Sequence, residues 1–174
     1  MLSPTEANNL ILFHLGDGLR ARHSVFVGYV MDHLAKLLGE DHVLWEVTGL
    51  CHDLDFEVTA EDRSRHGLLA AEWLRDELPD VALVAIQSHD HRTGILSETK
   101  LALALKLADA IAVGELDVGR DAMIVALSAA SPLDRLEAVL SARPYLPELI
   151  TQPAEQLSMS LAAVASICRA APPQ

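Results

Sequence analysis

Apolar side chains recur along this chain every three or four residues, in segments separated by residues that commonly end helices. Residues 20–38 carry one such stripe, made of Phe26, Val27, Val30, Leu34 and Leu37. A stripe at this spacing covers the face of an α-helix that packs on a core. Leu and Ala supply most of the apolar residues, and both favour helix. The pattern predicts an all-α fold, a bundle of about six to nine helices.

Capping residues indicate where the helices begin and end. Ser3, Pro4 and Glu6 predict the start of the first helix, as N-cap, N1 proline and capping-box partner. Further helices are predicted at residues 20–38, 41–53, 63–78, 80–90, 97–113, 120–129, from 131 onward, and 154–170. Residues 54–62 and 91–96 are predicted loops. Residues 101–108 also alternate like a strand, but they lack β-branched residues and follow a serine cap, which favours helix.

Length and composition narrow the class of protein. The 174 residues fit one domain, in which residues 15–113 hold the site candidates and residues 114–174 complete the helical bundle. No apolar run reaches the ~18 residues that span a bilayer, and the first residues do not resemble a signal peptide. Cys51 and Cys168 form no CxxC pair and are expected to be reduced core thiols. We therefore expect a cytoplasmic protein without a membrane partner.

Charge and surface composition bear on partners. The net charge of −12 argues against a surface for a nucleic-acid polymer, because phosphate binding needs a basic face. A small anionic substrate is compatible with this charge where metal ions supply local positive charge. A surface rich in Leu and Ala is also compatible with a homodimer.

Polar residues occur on predicted helices where core residues are expected. There are six of them on five predicted helices: His23, His52, Asp53, His66, His89 and Asp109. A single histidine on an apolar face is usually a hydrogen-bonded core residue. Asp109 is harder to explain in this way, because a buried carboxylate needs a partner; an ion pair with Lys106 is the structural alternative.

Imidazoles and carboxylates together suit divalent transition-metal ions. Six ligands are too many for one catalytic ion that keeps an open position, and they suit two ions bridged by a carboxylate. His52 and Asp53 project about 100° apart on a helix. His52 can therefore bind one ion while Asp53 reaches between two.

The same residues resemble the HD-domain superfamily of metal-dependent phosphohydrolases. The matching segments read RHSVFVGYVMDHLA, GLCHDLDF, RHGLLAAEWL, AIQSHDH and KLADAI. The resemblance implies that His23, His52, Asp53 and Asp109 bind a first metal ion, that Asp53 bridges, and that His66 and His89 complete a second site. The resemblance is to the six-ligand, dinuclear subset of that superfamily, and it implies two ions. Fe or Mn suits such a site best, and Zn, Co, Ni or Mg is compatible with it.

The resemblance also implies a reaction. A water activated between the metal ions would hydrolyse a phosphate ester or anhydride, with a small nucleotide or other small phosphorylated compound as substrate. Asp53 would be the central catalytic residue, and His91 a candidate proton donor to the leaving group.

One position departs from the superfamily pattern. Many of its phosphohydrolases carry Lys three residues after the Asp of the HD pair, whereas this chain has Phe56. Arg92 is the first candidate to replace that phosphate contact, and Lys106 a second; Arg63 and Arg65 are further options.

Two other functions fit the same ligands. Some HD proteins use six such ligands for a di-iron centre that activates O₂, so an oxygenase is one alternative. A regulatory metal-binding module is the other.

Overall fold

The computed structural model describes residues 2–174, and within that range the chain is all-helical with no strand. Two short 3₁₀ helices, Arg63–Arg65 and His91–Thr93, interrupt the α-helices. The ten α-helices are α1 (Pro4–Leu15), α2 (Leu19–Leu38), α3 (His42–Cys51), α4 (Leu68–Trp73), α5 (Asp80–Ser88), α6 (Lys100–Val118), α7 (Arg120–Leu127), α8 (Pro132–Val139), α9 (Leu146–Gln156) and α10 (Leu161–Ala170). The all-α prediction is confirmed.

Local capping explains most of the helix ends. The Ser3 hydroxyl accepts from the Glu6 amide while the Glu6 carboxylate accepts from the Ser3 amide, so the predicted capping box forms. Gly39 ends α2 in the left-handed conformation, and the Asp41 carboxylate caps α3. These ends were predictable because each depends on residues within one turn of the chain.

The prediction of one continuous helix over residues 63–78 is wrong. The structure divides it into the 3₁₀ helix Arg63–Arg65 and the shorter α4, separated at Gly67. Gly67 has φ +81°, and a Cβ there would lie 2.6 Å from the Ile86 carbonyl oxygen. The close approach of α5 therefore requires a glycine and breaks the helix.

Both ends of α6, and the division and start of the last predicted helix, also differ from the predictions. Helix α6 begins after Thr99, which caps it in place of Ser97, and it continues to Val118. The last predicted helix is two helices, α9 and α10, and the chain turns between them at Ser158 with φ +54°. Pro147 lies in the first turn of α9, where proline is tolerated, so that helix begins earlier than expected.

Helix α6 is central and buried along most of its length. It packs against α2, α5 and α9, while α2 lies along α3. The α2–α3 contact is close because Gly28 and Gly49 meet there: a Cβ on Gly49 would lie 2.9 Å from the Gly28 Cα. This packing brings the histidines of α2 and of the end of α3 together above α6.

Both cysteines are free and buried in the core, as predicted. Burial raises the pKa of each thiol to about 12, so neither is a ready nucleophile. Within residues 2–174, no helix has the length and hydropathy needed to cross a membrane.

Candidate metal centre

The six polar residues singled out in the sequence converge at one place. They come from five parts of the fold: His23 from α2, His52 and Asp53 from the end of α3, His66 from the segment before α4, His89 from the end of α5, and Asp109 from α6. Four of them are almost completely buried, and the Asp109 side chain, which borders a cavity, is 24% exposed. The His89 side chain is 3% exposed.

Two overlapping groups of these residues could hold a metal ion. His23, His52 and Asp109 form one, and His52, Asp53 and His89 form the other. In each group the ligand atoms lie within 4.8 Å of one another. Nε2 of His23 lies 3.0 Å from Oδ1 of Asp109. Imidazole nitrogens and carboxylate oxygens at this spacing suit a divalent transition metal.

Asp53 lies between the histidines. Its Oδ1 is 3.0 Å from Nε2 of His66, 3.4 Å from Nε2 of His52 and 3.6 Å from Nε2 of His89. Its Oδ2 is 3.6 Å from Nε2 of His23. The two carboxylate oxygens therefore face different histidines.

Hydrogen bonds orient three of the imidazoles. Nδ1 of His52 donates to the Gly49 carbonyl at 2.7 Å, and Nδ1 of His89 donates to the Ile86 carbonyl at 2.6 Å. A carbonyl oxygen only accepts, so in the neutral ring Nε2 carries the lone pair. Nδ1 of His66 lies 2.8 Å from Oδ1 of Asp55. Histidines that bind metals are commonly held in this way.

Buried nitrogens at the centre lack hydrogen-bond partners among the described residues. These are both ring nitrogens of His23 and Nε2 of His52; the Asp109 oxygen 3.0 Å from Nε2 of His23 does not form a hydrogen bond with it. Buried polar atoms in proteins are nearly always paired. The unsatisfied nitrogens beside two carboxylates fit a bound metal ion.

Neighbouring charges within the cluster shift the pKa values of its carboxyl and imidazole groups. Burial disfavours the charged form of Asp53, but the facing His52, His66 and His89 outweigh it and hold the pKa of this carboxyl well below its usual range. Burial also opposes protonation of His66, yet its contacts with Asp53 and Asp55 raise its pKa to about 9. The cluster therefore keeps its carboxylates ionised, as metal ligands must be.

Asp55 has a role that the sequence interpretation missed. It is fully buried, and its carboxylate accepts from the amides of Gly67 and Ala70 as well as lying beside His66. It thereby connects the turn after the HD pair to the start of α4. A second Asp two residues after Asp53 was the only local signal for this role.

A cavity of about 390 Å³ adjoins the cluster. Asp53, His66, His89 and Asp109 form part of its wall. Five basic residues form another part: Arg20, Arg63, Arg92, Lys106 and Arg143. The whole chain has only 13 Lys and Arg residues and a net charge of −12. Three carboxylates, of Asp53, Asp90 and Asp109, line the same cavity, and Arg20, Arg92 and Arg143 each pair with a carboxylate. The unpaired positive charge that favours an anionic ligand therefore comes from Arg63 and Lys106.

The predicted proton donor His91 and the predicted phosphate contacts Arg92 and Lys106 line this cavity. Of the further options for the phosphate contact, Arg63 lines it and Arg65 does not. The His91 side chain is 86% exposed. Arg92 forms a bidentate ion pair with Asp90, so much of its guanidinium is already engaged. Nζ of Lys106 donates to the Ser97 carbonyl at 3.1 Å, and no ion pair joins Lys106 to Asp109 within residues 2–174.

Other cavity residues were not predicted. Nη1 of Arg20 donates to Oδ2 of Asp53 at 2.8 Å. Arg20 precedes His23 by three residues, so helical spacing could have indicated it. Arg143 and Tyr145, from the segment before α9, also line the cavity. Nothing local in the sequence indicates that this C-terminal segment reaches the site.

Comparison of the chain with family models, curated proteins and solved structures finds no match. The protein is therefore described by its fold and by the geometry of its site. It is an all-helical protein with a buried His/Asp cluster that could hold a metal ion.

Proposed function

We propose that the protein is a metal-dependent phosphohydrolase that acts on a small nucleotide or another small phosphate ester or anhydride. One observation carries the proposal: the His/Asp cluster borders a cavity lined by five basic side chains. The resemblance of its motifs to the HD-domain superfamily points to the same chemistry.

The proposed cofactor is a pair of divalent transition-metal ions, with Fe or Mn as the first candidates. His23, His52 and Asp109 would hold one ion, and His66 and His89 the other, with Asp53 shared. The unsatisfied nitrogens of His23 and His52 support this, as do the two oxygens of Asp53 that face different histidines. Such ions would activate water as the nucleophile at neutral pH and offset the charge of the phosphoryl group.

The protein residues would bind and orient the substrate. Arg63 and Lys106 have no carboxylate within 4.0 Å among residues 2–174, so their charge is available to phosphate oxygens. His91, exposed at the cavity wall, would donate a proton to the leaving group. The cavity is large enough for a small substrate.

The direct test combines metal analysis with a substrate panel. The purified protein would be assayed with Mn or Fe against nucleotides and other phosphate esters and anhydrides. We expect bound metal and release of phosphate from at least one class. Metal-loaded protein that hydrolyses none of them would overturn the proposal, and O₂ consumption by the iron form would instead favour an oxygenase.

Replacement of His89 by alanine should lower the metal content from about two ions toward about one per chain. His89 would serve the second site, whereas His23 and Asp109 would remain in place for the first. Elemental analysis of matched preparations measures the effect. The half-buried His14, which stacks on Trp73 outside the cluster, offers a control in His14→Ala. A stoichiometry unchanged by His89→Ala would refute the second-site role.

Replacement of Arg92 by alanine should raise the KM for a phosphorylated substrate by about fivefold, with metal content unchanged. A charge-assisted hydrogen bond contributes roughly 1.5–3 kcal/mol, and pairing with Asp90 reduces what Arg92 can offer an anion. Steady-state kinetics beside the exposed-surface variant Arg135→Ala would measure it. An unchanged KM would exclude Arg92 as a phosphate contact.

A further inference from the structure

Phe56 lies between two guanidinium groups at the cavity wall. Cζ of Arg20 is 3.5 Å from the centroid of the Phe56 ring, and Cζ of Arg63 is 3.9 Å from it. Two carbon atoms this close to the centroid on one face would overlap, so the guanidiniums lie on opposite faces. All three side chains line the cavity.

Short contacts connect Phe56 and Arg63 to the His/Asp cluster. The Phe56 amide donates to the Asp53 carbonyl at 2.9 Å, and its ring packs edge-on against His66 with centroids 5.5 Å apart. Nη1 of Arg63 donates to the Phe56 carbonyl at 2.8 Å. The position of Phe56 therefore sets where both guanidiniums stand relative to Asp53 and His66.

The two guanidiniums beside the Phe56 ring carry more positive charge than the one carboxylate paired with them can offset. Arg20 pairs with Asp53, but Arg63 has no carboxylate within 4.0 Å in the described part of the chain. The two cations repel each other, and the negative faces of the aromatic ring offset part of that repulsion. Two part-buried guanidiniums beside a single carboxylate leave positive charge facing the cavity. Each guanidinium has five N–H donors, so both retain donors for a further ligand.

We propose that Arg20 and Arg63 form a clamp for a tetrahedral oxyanion, the phosphoryl group of the substrate, and that Phe56 is the positioning residue that holds the clamp open. Phe56 thus contributes to anion binding without a charge of its own. The assignment of the anion as a substrate phosphoryl group rests on the proposed function, whereas the clamp itself rests on the geometry around Phe56.

The test measures binding of inorganic phosphate to the Mn-loaded protein by calorimetry. Phe56→Leu keeps an apolar side chain but removes the aromatic faces, and we expect it to weaken phosphate binding by about tenfold, from the combined cation–π contributions. Phe56→Tyr keeps both faces and should bind within about twofold of the unchanged protein. Arg75→Ala, an exposed arginine outside the cavity, is the control and should have no effect.

A second variant tests the clamp independently of any folding defect in Phe56→Leu. Arg63→Gln removes one clamp charge and leaves the Phe56 side chain itself unchanged. It should weaken phosphate binding by a similar factor while circular dichroism and metal content stay unchanged. In kinetics, Phe56→Leu should raise KM and leave kcat nearly constant; a purely structural role would instead lower metal content and kcat together. Unchanged phosphate affinity in folded Phe56→Leu and Arg63→Gln would overturn the clamp.

Different results would refute the proposed phosphohydrolase reaction and the proposed clamp. If the protein hydrolyses no phosphate compound but loses phosphate binding in Phe56→Leu, the clamp stands and the proposed reaction falls. If the protein hydrolyses a phosphate ester but neither Phe56→Leu nor Arg63→Gln changes phosphate affinity or KM, the proposed reaction stands and the clamp falls.

Discussion

Replacement of Asp53 by alanine is expected to strip the metal from the protein and to abolish hydrolysis. The Asp53 carboxylate lies within 3.6 Å of Nε2 of all four clustered histidines, and its two oxygens face different members of that set. Its loss would remove the ligand that we propose both metal ions share, and it would leave Arg20 without its carboxylate partner. Metal ions supply several kcal/mol of transition-state stabilisation, so activity should fall by at least about 10³-fold.

Elemental analysis and single-substrate kinetics would measure both effects on the same preparation. Asp53→Asn preserves the shape of the side chain and removes only its charge, so it should also lose metal if charge is the decisive property. Asp134→Ala, on the exposed face of α8, should keep full metal content and activity. Two equivalents of metal retained in Asp53→Ala would show that Asp53 is not the shared ligand.

Replacement of Asp55 by alanine is expected to destabilise the fold by about 3–5 kcal/mol. This carboxylate is fully buried and contacts three groups: Nδ1 of His66 at 2.8 Å, the Gly67 amide at 2.7 Å and the Ala70 amide at 3.1 Å. Alanine would leave these groups unpaired in the interior. For a chain of this size the melting temperature should fall by roughly 10 °C.

Thermal unfolding of the metal-free protein isolates this effect from metal binding. Asp55→Asn keeps one acceptor oxygen, so its loss of stability should be smaller than that of Asp55→Ala. The His66 ring would also lose the group that orients it, and metal affinity should fall by about 10- to 100-fold. A melting temperature within about 2 °C of the unchanged protein would contradict the structural role assigned to Asp55.

Features that depend on residues close together in the sequence were predicted, whereas features that depend on contacts between distant residues were not. The capping box at Ser3 and the glycine stop at Gly39 act within one helical turn, and both were read from the sequence. The break at Gly67 was not, because it arises where α5 passes close to the backbone at Gly67. A glycine in an apolar helical pattern does not reveal what lies against it.

The contacts of residues 53–56, which follow α3, could not be predicted from the sequence for the same reason. His52 and Asp53 stood out as polar residues on an apolar helix face, whereas Asp55 was assigned only to a loop and Phe56 only to the position where the superfamily pattern has Lys. Asp55 meets its partners 11 to 15 residues further along the chain, and Arg20 reaches Asp53 across 33 residues. Spacing along the sequence does not encode such pairings.

By itself, the sequence determined that the chain is helical and that six polar residues lie on faces otherwise used for packing. Helical periodicity and capping are local, and a polar residue on an apolar stripe is visible in one dimension. Only the tertiary structure decided that these residues meet at one centre. It also decided that Phe56 stands between Arg20 and Arg63, and that the segment before α9 lines the same cavity. Those contacts depend on how α2, α3, α6 and α9 pack, and packing is a property of the whole chain.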